Sequence, residues 1–304
     1  MTVTDYLLHV FYLIDTQIQA LNLPRLRRRG PQPRLADSEV ITMELAGEFF
    51  GIDTDRGIYR FFRRYHLAEF PALAHVDRTT FARQAAALWR VKQLLHQRVL
   101  AMLPLLDPVD AQHWWIIDSF PLRTARLARA PRSKLFRGVA NYGHDPTTPR
   151  DLYFGLRVHL RCSDRGPVAQ LQLSGANLAD LDGAFALVPP ASGEPCLGDR
   201  NYWYRSAHRL WQLACAGMTL LAPYKKKSLD PDPRRSRLLS KLRQIIEPVI
   251  GQLATRFHAQ RTWARDLWHL TSRLGRKVLS HTVAVLLNWQ AGNEPLQLDL
   301  LLDT

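Results

Sequence analysis

At 304 residues, 46% of them hydrophobic, the chain has room for one large domain or two ordinary ones and the material for their cores, which excludes a wholly disordered protein. Its 41 Lys and Arg against 27 Asp and Glu leave a formal charge of +14, which points to a polyanionic partner, with nucleic acid the leading candidate. No apolar run approaches the ~18 residues of a spanning helix, and the basic residues are spread over several segments, which argues against a membrane.

The chain opens on Met1-Thr-Val-Thr-Asp5 and carries Asp5, Asp15 and Gln17 with no basic lead, unlike a signal peptide. Cys162, Cys196 and Cys215 show neither a C-x-x-C pair nor zinc-finger spacing. An odd count suits a reducing compartment, so buried thiols in a cytoplasmic protein are expected.

Residues 1–108 read as a helical N-terminal domain. Val3 to Leu21 is a first helix, followed by a loop with Pro24, Gly30, Pro31 and Pro33 among Arg25, Arg27, Arg28, Arg29 and Arg34, expected to be exposed and positive. Asp37 or Ser38 caps the next helix, where Val40, Met43, Gly47 and Phe50 share a face, and Gly51 ends it. Gly57 to Tyr65 interleaves Tyr59, Phe61, Phe62 and Tyr65 with Arg60, Arg63 and Arg64. Helix, glycine turn and basic helix suggest a DNA-binding helix-turn-helix, although a plain helical bundle gives the same pattern. Thr80 to Met102 is an amphipathic helix with Phe81, Ala85, Leu88, Leu95, Val99 and Met102 on or near one stripe, and Pro104, Asp107 and Pro108 mark a boundary.

Residues 109–290 change character. His113-Trp-Trp-Ile-Ile-Asp-Ser-Phe-Pro121 reads as a buried strand ending at Asp118. Arg123, Arg126, Arg129, Arg132, Lys134 and Arg137 follow in what reads as a basic loop. Strands are expected at Leu152 to Cys162, buried on both faces, and at Val168 to Leu173; then a helix at Leu178 to Val188, a strand at Pro195 to Gly198, a helix at Ser206 to Ala216, and a strand at Met218 to Ala222. Lys225, Lys226 and Lys227 precede a breaker-rich stretch and a long helix from about Ser236, and beyond Thr262 the chain reads as helical to Trp289 with an interruption near Gly275. Residues 291–304 are a C-terminal tail.

The order βββαβαβ followed by a helix is that of an RNase H-like fold, a mixed sheet flanked by helices, by analogy of topology. On it Asp118 lies on the first strand, Asp199 directly after the fourth and Glu247 on the helix after the fifth. The apolar stripe Leu238, Leu239, Leu242, Ile245, Ile246, Val249 and Leu253 puts Glu247 on or beside the polar face of its helix, one turn after Arg243. Singly, each acid has a plain alternative: a turn residue for Asp118 and a surface ion pair with Arg243 for Glu247. Together, three carboxylates repel one another and persist where cations sit among them; oxygen donors select hard ions such as Mg²⁺ or Mn²⁺. Two such ions about 3.5–4 Å apart serve phosphodiester chemistry.

At these residues the chain resembles the DDE transposases of bacterial insertion sequences, most closely the insertion sequence 982 family. The resemblance rests on Ile117-Asp-Ser-Phe-Pro121, Tyr153-Phe-Gly-Leu-Arg-Val-His159, Gly198-Asp-Arg-Asn-Tyr202 and Arg243 through Glu247, in the family's order, with Asn177 to Asp180 a further segment. It implies a transposase whose triad Asp118, Asp199 and Glu247 binds two Mg²⁺ or Mn²⁺ ions and acts on double-stranded DNA at transposon ends and target, as a homo-oligomer when bound to DNA. DNA contacts are expected from Arg243, from Lys225, Lys226 and Lys227, and from Arg123, Arg126 and Arg137. Many relatives carry a tyrosine three residues before the arginine and a lysine seven after the glutamate; here Ser240 and Ala254 stand there, with Arg256 the nearby basic residue. Pro248 removes a helical N–H beside Glu247 and predicts a bend. The alternatives are a stand-alone metal-dependent nuclease of the same fold and a non-catalytic DNA-binding protein from a decayed element.

Overall fold

The computed structural model describes residues 1–24, 32–103, 114–145, 152–187, 195–203, 207–261 and 263–302. The chain divides into two compact units, one of Met1–Leu103, Gln252–Ala264 and Trp268–Thr304, the other of Pro104–Gly251 with Arg265–Leu267. The boundary expected after residue 290 does not coincide with a junction between them, because residues 268–304 belong with the N-terminal helices, an association of distant segments that no local signal encodes.

The first unit contains helices α1 (Val3–Leu21), α2 (Asp37–Phe49), α3 (Asp55–Tyr65), α4 (Arg78–Ala87) and α5 (Trp89–Met102). Nearly all of α10 (Leu267–Gln290) joins them from the far end of the chain. Helix α1 has the predicted limits and opens on a capping box in which Thr2 and Asp5 satisfy each other's backbone N–H groups. The cap of α2 is Ala36, not Asp37 or Ser38: Glu39 reaches back to accept from the Ala36 N–H at 2.6 Å. The predicted helix over Thr80 to Met102 is two helices, turned at Leu88, whose side chain is fully buried. Helix α10 runs unbroken through Gly275. The roughly 1 kcal/mol that glycine costs a helix is outweighed by packing, since Arg276 through Asn288 are buried without exception. In α3, Tyr59 and Phe62 enter the core while Arg60, Arg63 and Arg64 are exposed. Most of the expected basic loop, Arg25 to Pro31, lies outside the described residues. Beyond residue 290, Leu298 and Leu301 are buried and Asn288 donates to the carbonyls of Glu294 and Gln297 at 2.7 and 3.0 Å.

Charges lie in the middle of this helical core. Lys92 on α5 donates to both Glu44 oxygens at 2.9 and 2.8 Å; Lys277 on α10 donates to Glu48 at 2.5 Å. Arg276 donates to Glu48, Glu44 and Asp55 at 2.7, 2.9 and 2.7 Å. Helix α2 is therefore buried all round, not along one face, and its glutamates are matched by cations from α5 and α10. Burial pushes the pKa values of Lys92 and Lys277 down against the pull of Glu44 and Glu48.

The second unit is built on strands β1 (Trp115–Ala125), β2 (Asn141–Gly143), β3 (Tyr153–Ser163), β4 (Val168–Gly175), β5 (Pro195–Leu197) and β6 (Thr219–Leu221). They form one mixed sheet in the order β2-β3-β1-β5-β6, with β4 also on β3. β3 pairs antiparallel with β1, β2 and β4, whereas β1, β5 and β6 run parallel. The short β2 was not foreseen, and β1 runs past Pro121 to Ala125, so Asp118 sits within the strand and not at its end. Among the described residues the ladder between β1 and β5 covers Trp115 and Ile116, and beyond Ile116 strand β1 pairs with β3 alone. A proline is compatible with such an edge.

Arg123 therefore lies on a strand, and Arg129 and Arg132 on a 3₁₀ turn, Leu127–Arg132, where a loop was expected. Helices α6 (Asp180–Phe185) and α7 (Ala207–Cys215) cover one sheet face, packing Leu181, Ala184 and Leu213 with Trp115, Ile117, Cys196 and Met218. The expected long helix is α8 (Pro233–Leu242), a 3₁₀ turn Arg243–Ile245 and α9 (Ile246–Thr255). The break falls one turn before Pro248, whose missing N–H leaves the Gln244 carbonyl without its helical donor. Cys162 and Cys196 are buried as expected; Cys215 is exposed. No helix among the described residues is long and apolar enough to cross a membrane.

Candidate active site

A strand turns alternate side chains to opposite faces, and β1 puts Trp115, Ile117 and Ser119 on the α6 side and Ile116, Asp118, Phe120 and Leu122 on the other. Asp118 is the one carboxylate in that second row, between Ile116 and Phe120, which are 0% and 4% exposed; its ladder partner Leu160 is 0% exposed. Burial in this apolar setting pushes the Asp118 pKa up to about 7. Arg243 and the Ser119 N–H oppose the rise, and the charges of Asp199 and Asp180 add to it. The Ser119 N–H donates to Asp118 Oδ1 at 2.8 Å, and Arg243 Nη1 donates to Oδ2 at 3.3 Å.

Asp199 stands two residues beyond the end of β5 and caps the 3₁₀ turn Arg200–Tyr202, its two oxygens accepting from the backbone N–H and side-chain amide of Asn201 at 2.8 and 3.0 Å. Its pKa is also raised, by burial first, against the Asn201 hydrogen bond and Arg243. The turn depends on Gly198, since a Cβ there would stand 2.6 Å from the Cβ and Cγ of buried Tyr202. Gly198→Ala is expected to cost roughly 1–3 kcal/mol by forcing Tyr202 away and shifting Asp199 with it; urea unfolding of the two proteins measures it, and an unchanged midpoint would mean that Tyr202 yields freely.

Glu247, in the first turn of α9, is 65% exposed and stands 3.6 Å from Arg243 Nη2. Arg243, expected as a DNA contact, is thus shared between Asp118 and Glu247. Among the described residues no three His, Cys, Asp or Glu side chains stand ready to hold a metal ion together. The donor chemistry nonetheless fits a hard divalent ion: the donors are oxygens only, and burial raises the pKa of both Asp118 and Asp199, a penalty on their charged forms that a bound cation would relieve.

A further carboxylate comes to this place. Asp180, at the start of α6, accepts from Ser119 Oγ at 2.6 Å and Arg157 Nη1 at 2.7 Å, and its charge raises both Asp118 and Asp199. The sequence offered a hint only in the segment Asn177 to Asp180; reaching β1 needs the sheet and α6 in place.

Of the basic residues expected at DNA other than Arg243, Lys225, Lys226 and Lys227 are all exposed, as are Arg126 and Arg137. Arg123 pairs with buried Asp145 at 2.5 Å. Arg126, Arg129 and Arg132 line a cleft of about 660 Å³. Arg256 is held in its own unit by Asp299 and lies over the Phe49 ring at 4.9 Å.

A mixed sheet with half-buried carboxylates on β1 and just beyond the neighbouring β5, and exposed lysines and arginines in the same unit, defines an α/β protein with a candidate acidic site. Residues 110–266, a little over half of the chain, match the family model described as "Transposase DDE domain", and the chain belongs to that family. DDE transposases cleave and transfer DNA and use divalent metal ions. No curated protein and no solved structure matches the chain.

Proposed function

We propose that this chain is the transposase of a bacterial insertion sequence, most like the insertion sequence 982 family, and that it cuts and joins DNA at the ends of its element. The observation that carries the reading is Asp118: a half-buried carboxylate among apolar side chains, whose pKa is pushed up to about 7 chiefly by desolvation, with Asp199 adding to the rise and Arg243, its counter-charge, opposing it. Structural acids are normally matched more fully, and perturbed groups of this kind gather at functional sites. An antiparallel β4-β3-β1 half joined to a parallel β1-β5-β6 half supports an RNase H-like sheet for the catalytic unit.

In this reading Asp118, Asp199 and Glu247 hold the ions. Two Mg²⁺ or Mn²⁺ ions, when bound, activate a water or 3′-hydroxyl and stabilise the leaving oxygen. Arg243 neutralises the carboxylates before loading and is available to a DNA phosphate afterwards. Glu247, exposed and only loosely paired, has the freedom to turn inward. Lys225, Lys226, Lys227, Arg123, Arg126 and Arg137 hold phosphates without reading sequence.

The test is incubation of the purified protein with DNA carrying the inverted ends that flank its gene, in Mg²⁺, in Mn²⁺ and in chelator. Metal-dependent cleavage followed by joining to a target is the expected result. Cleavage without joining would replace the reading with a nuclease, and binding without cleavage in any metal with a DNA-binding protein. Replacing Lys225, Lys226 and Lys227 together by glutamine is expected to weaken binding to end DNA and random DNA alike and to flatten the log–log salt dependence by about 0.9 per lost phosphate contact. Loss of end preference at an unchanged salt slope would show that these lysines read sequence.

A further inference from the structure

Asp180 lies outside the expected triad, yet the sheet brings it into the chain of hydrogen bonds that ends on Asp118. Its position is built from three sides. Leu181 and Ala184, the next apolar residues of α6, are buried in the core under the sheet. His159 of β3, fully buried and bonded to Ser174 Oγ at 2.8 Å, lies so close to Gly183 that a Cβ there would fall 2.2 Å from its ring. The β1–β3 register sets Ser119 opposite His159 and Pro121 opposite Arg157, so Ser119 and Arg157 share the face that α6 covers.

On that face one oxygen, Asp180 Oδ1, accepts from both Ser119 Oγ and Arg157 Nη1, while Arg157 Nη2 donates to the His144 carbonyl at 3.2 Å. Ser119 is in turn the residue whose backbone N–H holds Asp118 Oδ1 on the opposite face. Asp180 is ion-paired with Arg157 at 2.7 Å, both side chains mostly buried at 12% and 14% exposure, and so is held more closely than Asp118, whose Arg243 partner stands at 3.3 Å and is shared with Glu247. That distinguishes an anchor from a metal donor.

We propose that Asp180 is a positioning residue of the active site: through Ser119 it fixes the strand at Asp118 and so the direction in which the Asp118 carboxylate presents its oxygens. The proposal rests on the reading of Asp118 as a metal-binding carboxylate. Groups that orient ligands from behind commonly change metal affinity or activity by roughly 10–100-fold when removed.

The experiment is Mn²⁺ titration by calorimetry on the full chain without DNA, alongside cleavage kinetics on end DNA, for wild type, Asp118→Asn, Asp180→Ala, Asp180→Asn and Ser119→Ala. Asp180→Ala and Ser119→Ala are each expected to weaken Mn²⁺ binding and lower kcat by roughly 10–100-fold with KM for DNA little changed. The double variant should be no worse than the poorer single one, because both act through the same hydrogen bond. Asp180→Asn keeps an oxygen for Ser119 and should recover most of the loss. Should Asp180→Ala fail to fold, Ser119→Ala and Asp180→Asn carry the same comparison. A lowered melting temperature with Mn²⁺ affinity and kcat unchanged in Ser119→Ala and the Asp180 variants would overturn the proposal and leave Asp180 a helix anchor. Loss in Asp180→Ala as complete as in Asp118→Asn, with no recovery in Asp180→Asn, would overturn it in favour of a direct ligand. Mn²⁺ binding untouched by Asp118→Asn would instead overturn the reading of the site on which the proposal rests.

Discussion

Asp118→Asn is expected to lower metal-dependent cleavage by about 10³-fold or more, the scale of loss when one member of a catalytic constellation is removed, while binding to DNA stays measurable. The same substitution should leave the metal-free protein no less stable. The reason lies in where the carboxylate sits: burial and the Asp199 and Asp180 charges hold its pKa near 7, well above that of an unfolded aspartate. Between about pH 4 and pH 7 the unfolded chain gives up this proton and the folded chain keeps it, so the folded state binds more protons and stability falls as pH rises through that window. Above pH 7 the penalty is constant, and below pH 4 it is absent. The amide of the variant carries no charge at any of these pH values, so the variant should lose this component of the pH dependence. Thermal unfolding in chelator from pH 4 to pH 8, at fixed ionic strength, measures it. A variant that is clearly less stable than wild type at pH 8 and still cleaves would make Asp118 a structural strand residue.

Glu48→Gln is expected to cost roughly 3–5 kcal/mol, a large share of the stability of an ordinary domain. The substitution hardly changes volume, but Lys277, 0% exposed, then faces an amide where its carboxylate stood, and Arg276 keeps only Glu44 and Asp55. Breaking one side of a buried pair is costly because the other charge stays out of water. Removing both sides is different. Glu48→Leu combined with Lys277→Met should recover most of the loss, since an apolar pair of similar size needs no partner. Urea unfolding of the full chain, following the transition of the helical unit, separates these outcomes; a loss under 1 kcal/mol for Glu48→Gln would mean that water or a neighbour reaches Lys277.

Much of the architecture was legible because its signals are local. The limits of α1, the two-sided burial of β3, the β4, α6, β5, α7, β6 order and the break before Pro248 all follow from apolar periodicity, glycine and proline within a few residues. Where local signals conflicted with packing, packing prevailed. The stripe over Thr80 to Met102 did not reveal the turn at buried Leu88, and Gly275 suggested a break that the enclosed α10 does not make. Pro121 suggested the end of a strand that continues, because among the described residues its other edge has no ladder to interrupt.

The candidate site divides in the same way. Asp118, Asp199, Arg243 and Glu247 could be marked as candidates from their strands, a helical stripe and family-like motifs, because each motif occupies only a few consecutive residues. Their mutual arrangement could not: Arg243 shared between Asp118 and Glu247, and Asp180 reaching Ser119 from 61 residues away, depend on which strands neighbour which. The sequence by itself determined composition, charge, most elements and the order of the acidic motifs, all properties of residues close along the chain. Only the tertiary structure decided that α10 closes the N-terminal helical core around Glu44 and Glu48, and that Asp118 stands alone in an apolar row. Burial and the pairing of distant charges arise from contacts that chain order does not specify.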